Sequence, residues 1–280
     1  MKKISRRSFL AAAGLSVAAL ALTACGGSSA STASSVASSA AASSEAASTS
    51  AAAGELTTVE AGKLTMATNA AFPPYEMTTD AGEFEGIDIE TAQAIADKLG
   101  LELQIDDMDF DAALLSVQQG KADIVMAGVT VTDERKAVMD FSDSYATGIQ
   151  SIIVPEGSDI ASPDDLAGKK IGTQRGTTGY IYCSDDFGDD NVVAYDDGLT
   201  AVQALNNGQV DAVVIDNAPA KEFVAANPGL VILDTSYAEE DYAIGMAKGS
   251  SLEDAVNAAL EELKADGTLQ SIVDKYITAE

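Results

Sequence analysis

Two residues of opposite charge stand at corresponding places in a repeated unit of this sequence. Residues 109–141 predict a helix that ends at Gly120, a short apolar strand, a turn of small residues and a second helix whose first turn carries Arg135. Residues 201–219 repeat the helix, the glycine and the strand, and the strand ends at Asp216. A ligand held between a cation and an anion needs a carboxylate and an ammonium group, and a free amino acid carries both.

The position of Arg135 itself indicates an anionic partner. A helix N-terminus favours negative charge, so a cation in the first turn suggests that an anion lies against it. In open α/β sheets small ligands bind beyond the carboxyl ends of the strands, which is where both charged residues are expected. The alternative for Arg135 is an exposed pair with Asp133 or Glu134. The alternative for Asp216 is the N-cap of the following helix, a role compatible with ligand binding.

Several other chemistries are excluded or poorly supported by residue type. The chain has no histidine, which excludes Ser-His and Cys-His catalysis and imidazole-bound zinc. Residues 172–179 are rich in glycine but lack the lysine of a P-loop and the spacing of a dinucleotide motif. Residues 107–118 resemble the start of a calcium loop, but Ala112 replaces the required glycine and Gln118 the bidentate acid. We therefore expect no catalytic residue, no metal and no cofactor.

The first 58 residues are expected to export and tether the protein. Residues 1–24 combine basic residues with an apolar stretch, the order typical of a signal peptide. Leu22-Thr23-Ala24-Cys25 resembles a bacterial lipobox, which predicts cleavage before Cys25 and lipidation of that residue. Residues 25–58 are almost all Ser, Ala, Thr and Gly and predict a disordered tether. Ser5-Arg6-Arg7-Ser8-Phe9-Leu10 also resembles a twin-arginine signal, so the Sec and twin-arginine routes both stay open.

The remaining residues alternate predicted strands with predicted helices. This alternation predicts an α/β architecture with mostly parallel sheets. In the helix after Asp109, the side chains of Leu114, Leu115 and Val117 are expected to face the core. Cys183 is the only thiol left after lipidation, so no disulfide is expected within the chain. The net charge of −28 disfavours nucleic acid and anionic lipid as partners.

Short motifs from about Lys63 to the C-terminus give the chain a family resemblance. They are Ala71-Phe72-Pro73-Pro74-Tyr75, Gly86-Ile87-Asp88-Ile89, Gln119-Gly120-Lys121-Ala122-Asp123, Thr130-Val131-Thr132-Asp133-Glu134-Arg135, Phe141-Ser142, Gly176-Thr177-Thr178 and Gly267-Thr268. With these motifs in this order, the chain resembles the polar amino-acid substrate-binding proteins of ABC importers, solute-binding family 3.

The resemblance implies a fold and its division into domains. The fold would be periplasmic-binding-protein-like, with two lobes that are each a mostly parallel sheet flanked by helices and are joined by two hinge strands. The crossings are expected near Gln150-Ser151 and Asp241-Tyr242. Lobe 1 would then comprise residues 59–151 and 241–280, and lobe 2 residues 152–240.

The resemblance also implies roles for individual residues. Arg135 would bind the α-carboxylate of the ligand, and Asp216 would bind its α-ammonium group. Phe72 and Phe110 would flank the ligand side chain, although plain core packing is the alternative for both. The complete set of expected ligand-binding residues is Asn69, Phe72, Phe110, Ala127, Gly128, Thr130, Arg135, Gln174, Thr177, Thr178 and Asp216.

Two amides favour a ligand side chain that is polar and uncharged. Asn69 stands where binders of basic amino acids resemble one another in having an aspartate, which argues against a cationic side chain. Gln174 faces the ligand side chain in relatives and adds a second amide. Glu76 lies nearby in the sequence and would restore a negative end to the pocket.

The function implied is capture of a free L-amino acid for a bacterial ABC importer. The chain would be a monomer, lipid-anchored through Cys25 on the extracytoplasmic face of the cell membrane, and would deliver its ligand to a permease driven by an ATPase. We expect no enzymatic activity, because the best-placed ionisable groups are engaged by the ligand's termini. Two alternatives are a lyase on the same fold, such as a cyclohexadienyl dehydratase, and a ligand-sensing module.

Overall fold

The structure, a computed structural model, describes residues 56–277. The predicted signal peptide, Cys25 and nearly all of the predicted tether lie outside the described residues. The strands are β1 Lys63–Thr68, β2 Ala71–Phe72, β3 Glu76–Thr78, β4 Phe84–Glu85, β5 Glu102–Asp107, β6 Ile124–Val125, β7 Met139–Phe141, β8 Ala146–Pro155, β9 Ile171–Gln174, β10 Val192–Tyr195, β11 Ala212–Asp216, β12 Leu230–Ile232, β13 Ala238–Tyr242 and β14 Gly245–Ala247. The helices are α1 Ile87–Leu99, α2 Phe110–Gln118, α3 Asp133–Lys136, α4 Thr178–Phe187, α5 Gly198–Asn206, α6 Asn217–Ala226, α7 Glu253–Ala265 and α8 Thr268–Tyr276.

The first sheet has the strand order β5-β1-β6-β14-β7. Strand β1 pairs in parallel with β5 and β6, whereas β14 is antiparallel to both of its neighbours. Successive side chains of a strand point to opposite faces. Leu64 and Met66 therefore join the core under α1, α7 and α8, while Ala67 joins the core under α2. Both faces of this sheet are covered by helices, which explains why β1 is buried almost throughout.

The second sheet has the strand order β10-β9-β11-β8-β12, with β13 paired to one end of β8. Strand β9 pairs in parallel with β10 and β11, and β8 is antiparallel to β11, β12 and β13. Val213 and Ile215 pack in the core with α5 and α6, and Val214 packs on the opposite face with Cys183 of α4. Each sheet thus contains one reversed strand, and the predicted α/β architecture with mostly parallel strands is confirmed.

The chain passes from the first sheet to the second between β7 and β8 and returns between β13 and β14. Strands β8 and β13 pair with each other from Ala146 opposite Tyr242 to Gln150 opposite Ala238. Gly148 makes this contact possible, because a Cβ there would lie 2.4 Å from the Tyr242 ring. The two connecting strands therefore lie side by side. A third, small sheet, β2-β3-β4, follows β1 and carries Glu76.

One sequence prediction near the site is wrong and another is confirmed. Leu115 is 49% exposed, so the expectation that it faces the core is wrong. The buried positions of α2 recur every three or four residues, and Leu115 lies about 100° around the helix from Leu114. The helix predicted to begin at Thr132 does begin there, with Thr132 as its N-cap, but α3 is only four residues long.

No helix among the described residues is long and apolar enough to cross a membrane.

Candidate ligand-binding site

The structure brings all eleven predicted ligand-binding residues to the wall of one cavity. The cavity has about 440 Å³ that protein atoms do not occupy, a volume that includes space open to solvent. The wall contains five further residues that were not among those predicted: Glu76, Gln150, Val214, Ile215 and Tyr242. The cavity lies at strand ends and connections of both main sheets, so residues of both contribute to its wall.

Arg135 points its guanidinium group into this cavity from the first turn of α3. The N-cap hydroxyl of Thr132 accepts a hydrogen bond from the Arg135 backbone N–H at 3.2 Å, which fixes the turn. The guanidinium donates from Nη1 to the carbonyl of Thr130 at 2.7 Å and from Nη2 to the carbonyl of Gly176 at 3.1 Å. It also lies 5.3 Å from the centre of the Phe110 ring. Arg135 therefore connects segments that belong to the two main sheets.

The charge of Arg135 is poorly compensated by the protein itself. Arg135 is only 7% exposed, so the alternative of an exposed helix charge is wrong. None of the ion pairs among residues 56–277 includes it. Burial lowers the pKa of the guanidinium, and the charge of Glu240 acts in the opposite direction. A buried cation bonded only to neutral carbonyls is costly, and an anionic ligand would offset that cost.

Asp216 ends β11 and caps α6. Its carboxylate accepts hydrogen bonds from the Ala218 N–H at 2.9 Å and from the Ile149 N–H at 2.7 Å. The N-cap alternative is thus confirmed, and the same side chain also lines the cavity. Burial raises the pKa of Asp216 to about 6, while its hydrogen bonds, including one with the Tyr242 phenol, oppose the shift. The cavity wall therefore carries the Arg135 cation, from a connection of the first sheet, and the buried Asp216 carboxyl group, from a strand of the second sheet.

A network of hydroxyl, amide and carboxylate groups lies beside Arg135. The hydroxyl oxygens of Thr130 and Thr178 are 3.4 Å apart. Glu240 accepts hydrogen bonds at 3.0 Å from the Thr130 hydroxyl and from the side-chain amide of Gln150. Glu240 was not predicted from the sequence, although alternation along β13 was an available signal. It lies on the same face as the buried Tyr242, between two exposed acidic residues.

Asn69 and Gln174 contact each other as well as the cavity. The Gln174 amide nitrogen donates to the Asn69 side-chain oxygen at 2.7 Å and to the carbonyl of Asp196 at 3.2 Å. The Asn69 amide nitrogen donates to the carbonyl of Met108 at 3.0 Å. This pair joins the end of β1 to the end of β9, so it links the two main sheets.

The aromatic residues serve both as cavity wall and as core. Phe72 stacks on Tyr75 with ring centres 5.9 Å apart and packs against cores on both sheets. Phe110 is buried in the core under α2 and supports the Arg135 guanidinium. Gly128 permits this packing, because its φ of +54° suits glycine and a Cβ there would lie 2.9 Å from the Phe72 ring. The core-packing alternative and the pocket-wall hypothesis therefore both hold.

Four of the other wall residues carried no sequence signal of their own. Val214 and Ile215 belong to an apolar strand and resemble any core residue of such a strand. Gln150 and Tyr242 lie on the paired strands β8 and β13, and only the three-dimensional arrangement brings them to the cavity. Glu76 was noticed as a nearby acid, but its complete burial was not foreseen.

Comparison with known proteins assigns the family. Residues 64–279 match the family model of the bacterial extracellular solute-binding proteins, family 3. The chain belongs to this family. It is 33% identical over 226 residues to the L-cystine-binding protein TcyJ of Escherichia coli (strain K12), covering 79% of this chain and 85% of that protein. It is also 33% identical over 228 residues to the arginine-binding extracellular protein ArtP of Bacillus subtilis (strain 168), covering 78% and 87%.

Solved structures agree with this assignment. An ancestral arginine-binding protein bound to glutamine is 42% identical, with a TM-score of 0.74 and coverage of 78% of this chain and 99% of that one. The predicted family resemblance is thus confirmed, and the fold is the two-lobed α/β fold of periplasmic binding proteins. The family members act outside the cytoplasm, as binding proteins.

The raised pKa of Asp216 predicts how the free energy of unfolding depends on pH. The folded-state pKa of about 6 exceeds the ordinary value of 3.8, so the stabilising contribution of the protonated carboxyl is complete below pH 3.8. This contribution is lost as the pH rises through about 6. We therefore expect wild-type protein without ligand to lose about 3 kcal/mol of stability relative to an Asp216→Asn variant between pH 4 and pH 7, from two pKa units at about 1.36 kcal/mol each.

Urea unfolding of both proteins across this pH range measures the difference. Asp234→Asn, at an exposed position in the same half of the chain, is the control and should follow the wild-type profile. Parallel profiles for wild type and Asp216→Asn would contradict the assigned burial of this charge.

Proposed function

We propose that this chain captures a free L-amino acid in the cavity and passes it to an ABC importer as the importer's substrate-binding component. One observation carries the proposal. The buried Arg135 guanidinium lacks a carboxylate partner among residues 56–277 and faces the same cavity as the buried Asp216 carboxyl. An amino acid supplies the missing anion and a cation in one molecule. The relatives support the proposal, since their names describe binding of cystine and of arginine.

Arg135 is the proposed partner of the α-carboxylate. A guanidinium fork binds a carboxylate through two parallel hydrogen bonds, so the ligand would replace or join the bonds to the two carbonyls. Thr178 opens α4, whose unpaired N–H groups and dipole favour an anion at that end. The hydroxyl of Thr130 and the turn at Gly128 are the proposed additional contacts.

Asp216 is the proposed partner of the α-ammonium group. Two of the hydrogen bonds that it accepts come from backbone N–H groups and hold its carboxylate in place on the cavity wall. Pairing with an ammonium group favours the ionised carboxylate and so opposes the desolvation that raises its pKa. The ligand's ends would therefore neutralise two charges that the protein buries at a cost.

The proposed ligand side chain is polar and uncharged. Asn69 and Gln174 offer amide groups on the cavity wall, and amides hydrogen-bond to neutral polar groups without requiring a charge. The ligand would compete with their mutual hydrogen bond of 2.7 Å. Phe72 and Phe110 would supply apolar contact area along the stem of the side chain.

The proposed lobes are residues 59–151 with 241–280 and residues 152–240. The two passages of the chain between the main sheets support this division, and β8 and β13 contain the expected hinge positions. Because Arg135 and Asp216 would lie on different lobes, the ligand makes both charged contacts only in the closed arrangement. A ligand shifts such an equilibrium by its differential affinity for the two states.

We further propose that the chain is not an enzyme and that it acts as a monomer next to a separate permease and ATPase. The charged groups on the cavity wall have binding roles, and the chain lacks histidine as a general base. The lyase and sensor alternatives have no observation in their favour. Mass spectrometry of the bound amino acid after incubation should recover it unchanged, and a product in excess of the protein would make the chain an enzyme.

We propose that the protein is held on the extracytoplasmic face of the cell membrane by a lipid anchor at Cys25. The support is the sequence order of basic residues, apolar stretch and lipobox. We expect Cys25→Ser protein, produced in its bacterial host, to leave the membrane fraction and to lack the mass of the acyl chains. The same membrane association and intact mass as wild type would contradict lipidation at this residue.

The charge of Arg135 generates the most specific functional prediction. A thermal-shift screen of the twenty amino acids first identifies the ligand, since a ligand at 100 times its Kd adds about 2.7 kcal/mol of stability. Truncating one partner of a buried charge pair costs about 2–5 kcal/mol. Arg135→Ala should therefore weaken binding of that ligand by about thirtyfold or more in calorimetry.

Arg175→Ala is the matched control for this experiment. Arg175 lies in the same loop as Gly176, but its side chain is half exposed and pairs with Asp196 at 3.2 Å. It should bind the ligand with nearly wild-type affinity. A folded Arg135→Ala protein with wild-type affinity, or an equal loss in both variants, would remove Arg135 from the site.

A further inference from the structure

Glu240 is a buried carboxyl group directly behind the cavity wall. It lies on β13 with a relative exposure of 6%, and it does not itself line the cavity. Its Oε2 accepts hydrogen bonds at 3.0 Å from the Thr130 hydroxyl and from the side-chain amide of Gln150, and both of these residues line the cavity. Its Oε1 accepts no hydrogen bond from the described residues. Donors to a carboxylate favour its ionised form, so these contacts place a negative charge behind the wall.

Arg135 and Glu240 both bond to Thr130. The Thr130 hydroxyl donates to Glu240, and the Thr130 carbonyl accepts from Nη1 of Arg135 at 2.7 Å. The two charged groups form no direct ion pair and are joined through this one residue. Burial lowers the pKa of the Arg135 guanidinium, and among the charges that oppose this shift Glu240 has the largest effect. Glu240 therefore acts on Arg135 at a longer range than an ion pair.

The backbone fixes the two charges relative to each other. Thr130 and Tyr242 form a β-bridge, and the Val131 N–H donates to the Asp241 carbonyl at 3.0 Å. Glu240 directly precedes this bridged segment on β13. The turn whose carbonyl bonds to the guanidinium is thus tied by backbone bonds to the strand that carries Glu240. The backbone itself therefore sets the separation between the two charges.

A fixed negative charge near Arg135 has two opposite effects on amino-acid binding. It attracts the guanidinium and so stabilises the buried cation before a ligand binds. It repels the ligand's α-carboxylate, which the proposed function places on that same guanidinium. Both interactions are strong, because charges in a buried site are screened less than charges in water. If Glu240 served only to hold Thr130 and Gln150 in place, removing its charge would leave the preference for a carboxylate unchanged.

We propose that Glu240 is the counter-charge of Arg135, and that it stabilises the ligand-free site and limits its affinity for the α-carboxylate of an amino acid. This inference rests on the proposed amino-acid function. A limit on affinity suits a protein that must give up its ligand to an importer, because affinity differences between related complexes lie mostly in the dissociation rate. Glu240 acts in this way from behind the cavity wall.

A double-variant cycle in the ligand-free protein measures the attraction between the two charges. Glu240→Gln removes the negative charge, and its amide oxygen can still accept from Thr130 and Gln150. Arg135→Met removes the cation and keeps a long apolar stem. In urea unfolding, Glu240→Gln should lower the folding equilibrium constant about tenfold more in the wild-type background than in the Arg135→Met background. Equal effects in the two backgrounds would overturn the proposal.

Glu239→Gln is the matched control for this cycle. Glu239 is an exposed carboxylate at the neighbouring position of β13, so its side chain points to the opposite face. Its removal should have the same small effect in both backgrounds. If Glu240→Gln alone does not fold, the double variant carries the test, because removal of both charges should restore folding. A double variant that is also unfolded would then overturn the proposal.

Paired ligands measure the repulsion. L-glutamine and L-arginine are the probes, and each is compared with its own α-carboxamide at about pH 6, where the α-amino groups are charged. The carboxamide lacks only the α-carboxylate charge, so any effect of Glu240 on the other ligand groups cancels in the ratio of the two affinities. In competition calorimetry, Glu240→Gln should raise the ratio of amino-acid affinity to carboxamide affinity about tenfold, and Glu239→Gln should leave it at the wild-type value. A ratio that is unchanged or lower in Glu240→Gln would overturn the proposal.

The outcomes separate this inference from the proposed function. If none of the twenty amino acids binds, the proposed amino-acid function fails, whereas the unfolding cycle needs no ligand and still decides whether Glu240 and Arg135 attract each other. If amino acids bind but the affinity ratio does not respond to Glu240→Gln, only the role of Glu240 fails. If the protein binds an amino acid other than the two probes, that amino acid and its α-carboxamide take their place.

Discussion

The rest of this site depends on one constraint, the burial of a guanidinium group that forms no ion pair with any of residues 56–277. Arg135 satisfies its donors with the carbonyls of Thr130 and Gly176, which belong to segments of different sheets. Those bonds fix its direction beside Phe110, but they go to neutral groups and do not offset the cost of burying its charge. A carboxylate that enters the cavity gains a bidentate partner, and the desolvation cost has already been met in the folded protein.

The fold supplies this geometry through its two passages between sheets. Strands β8 and β13 lie side by side, and the cavity forms where loops from the ends of β1, β9 and β11 approach one another. Asp216 is held by the helix that it caps, so one residue both ends a strand and faces the ligand. Hydrogen bonds from Gln174 to Asn69 and from Arg135 to Gly176 link the two sheets beside the cavity.

The sequence predicted much of this arrangement because its signals were local. The repeated helix–glycine–strand unit located Arg135 and Asp216, and the proline loop located Phe72, all of which reach the cavity. Glu240, Gln150 and Tyr242 were missed because their strands meet the site only through long-range pairing. The error at Leu115 came from counting apolar residues without following their angle around α2. Burial of Glu76 likewise depends on α1 and the first sheet packing over a short strand, which no local pattern encodes.

A crystal structure of the protein with its bound amino acid tests the central claim most directly. The account predicts the ligand's α-carboxylate within about 2.7–2.9 Å of the Arg135 guanidinium nitrogens. It also predicts the α-ammonium group at a similar distance from the Asp216 carboxylate. A ligand bound outside this cavity, or bound inside it with Arg135 still contacting only the two carbonyls, would contradict the account.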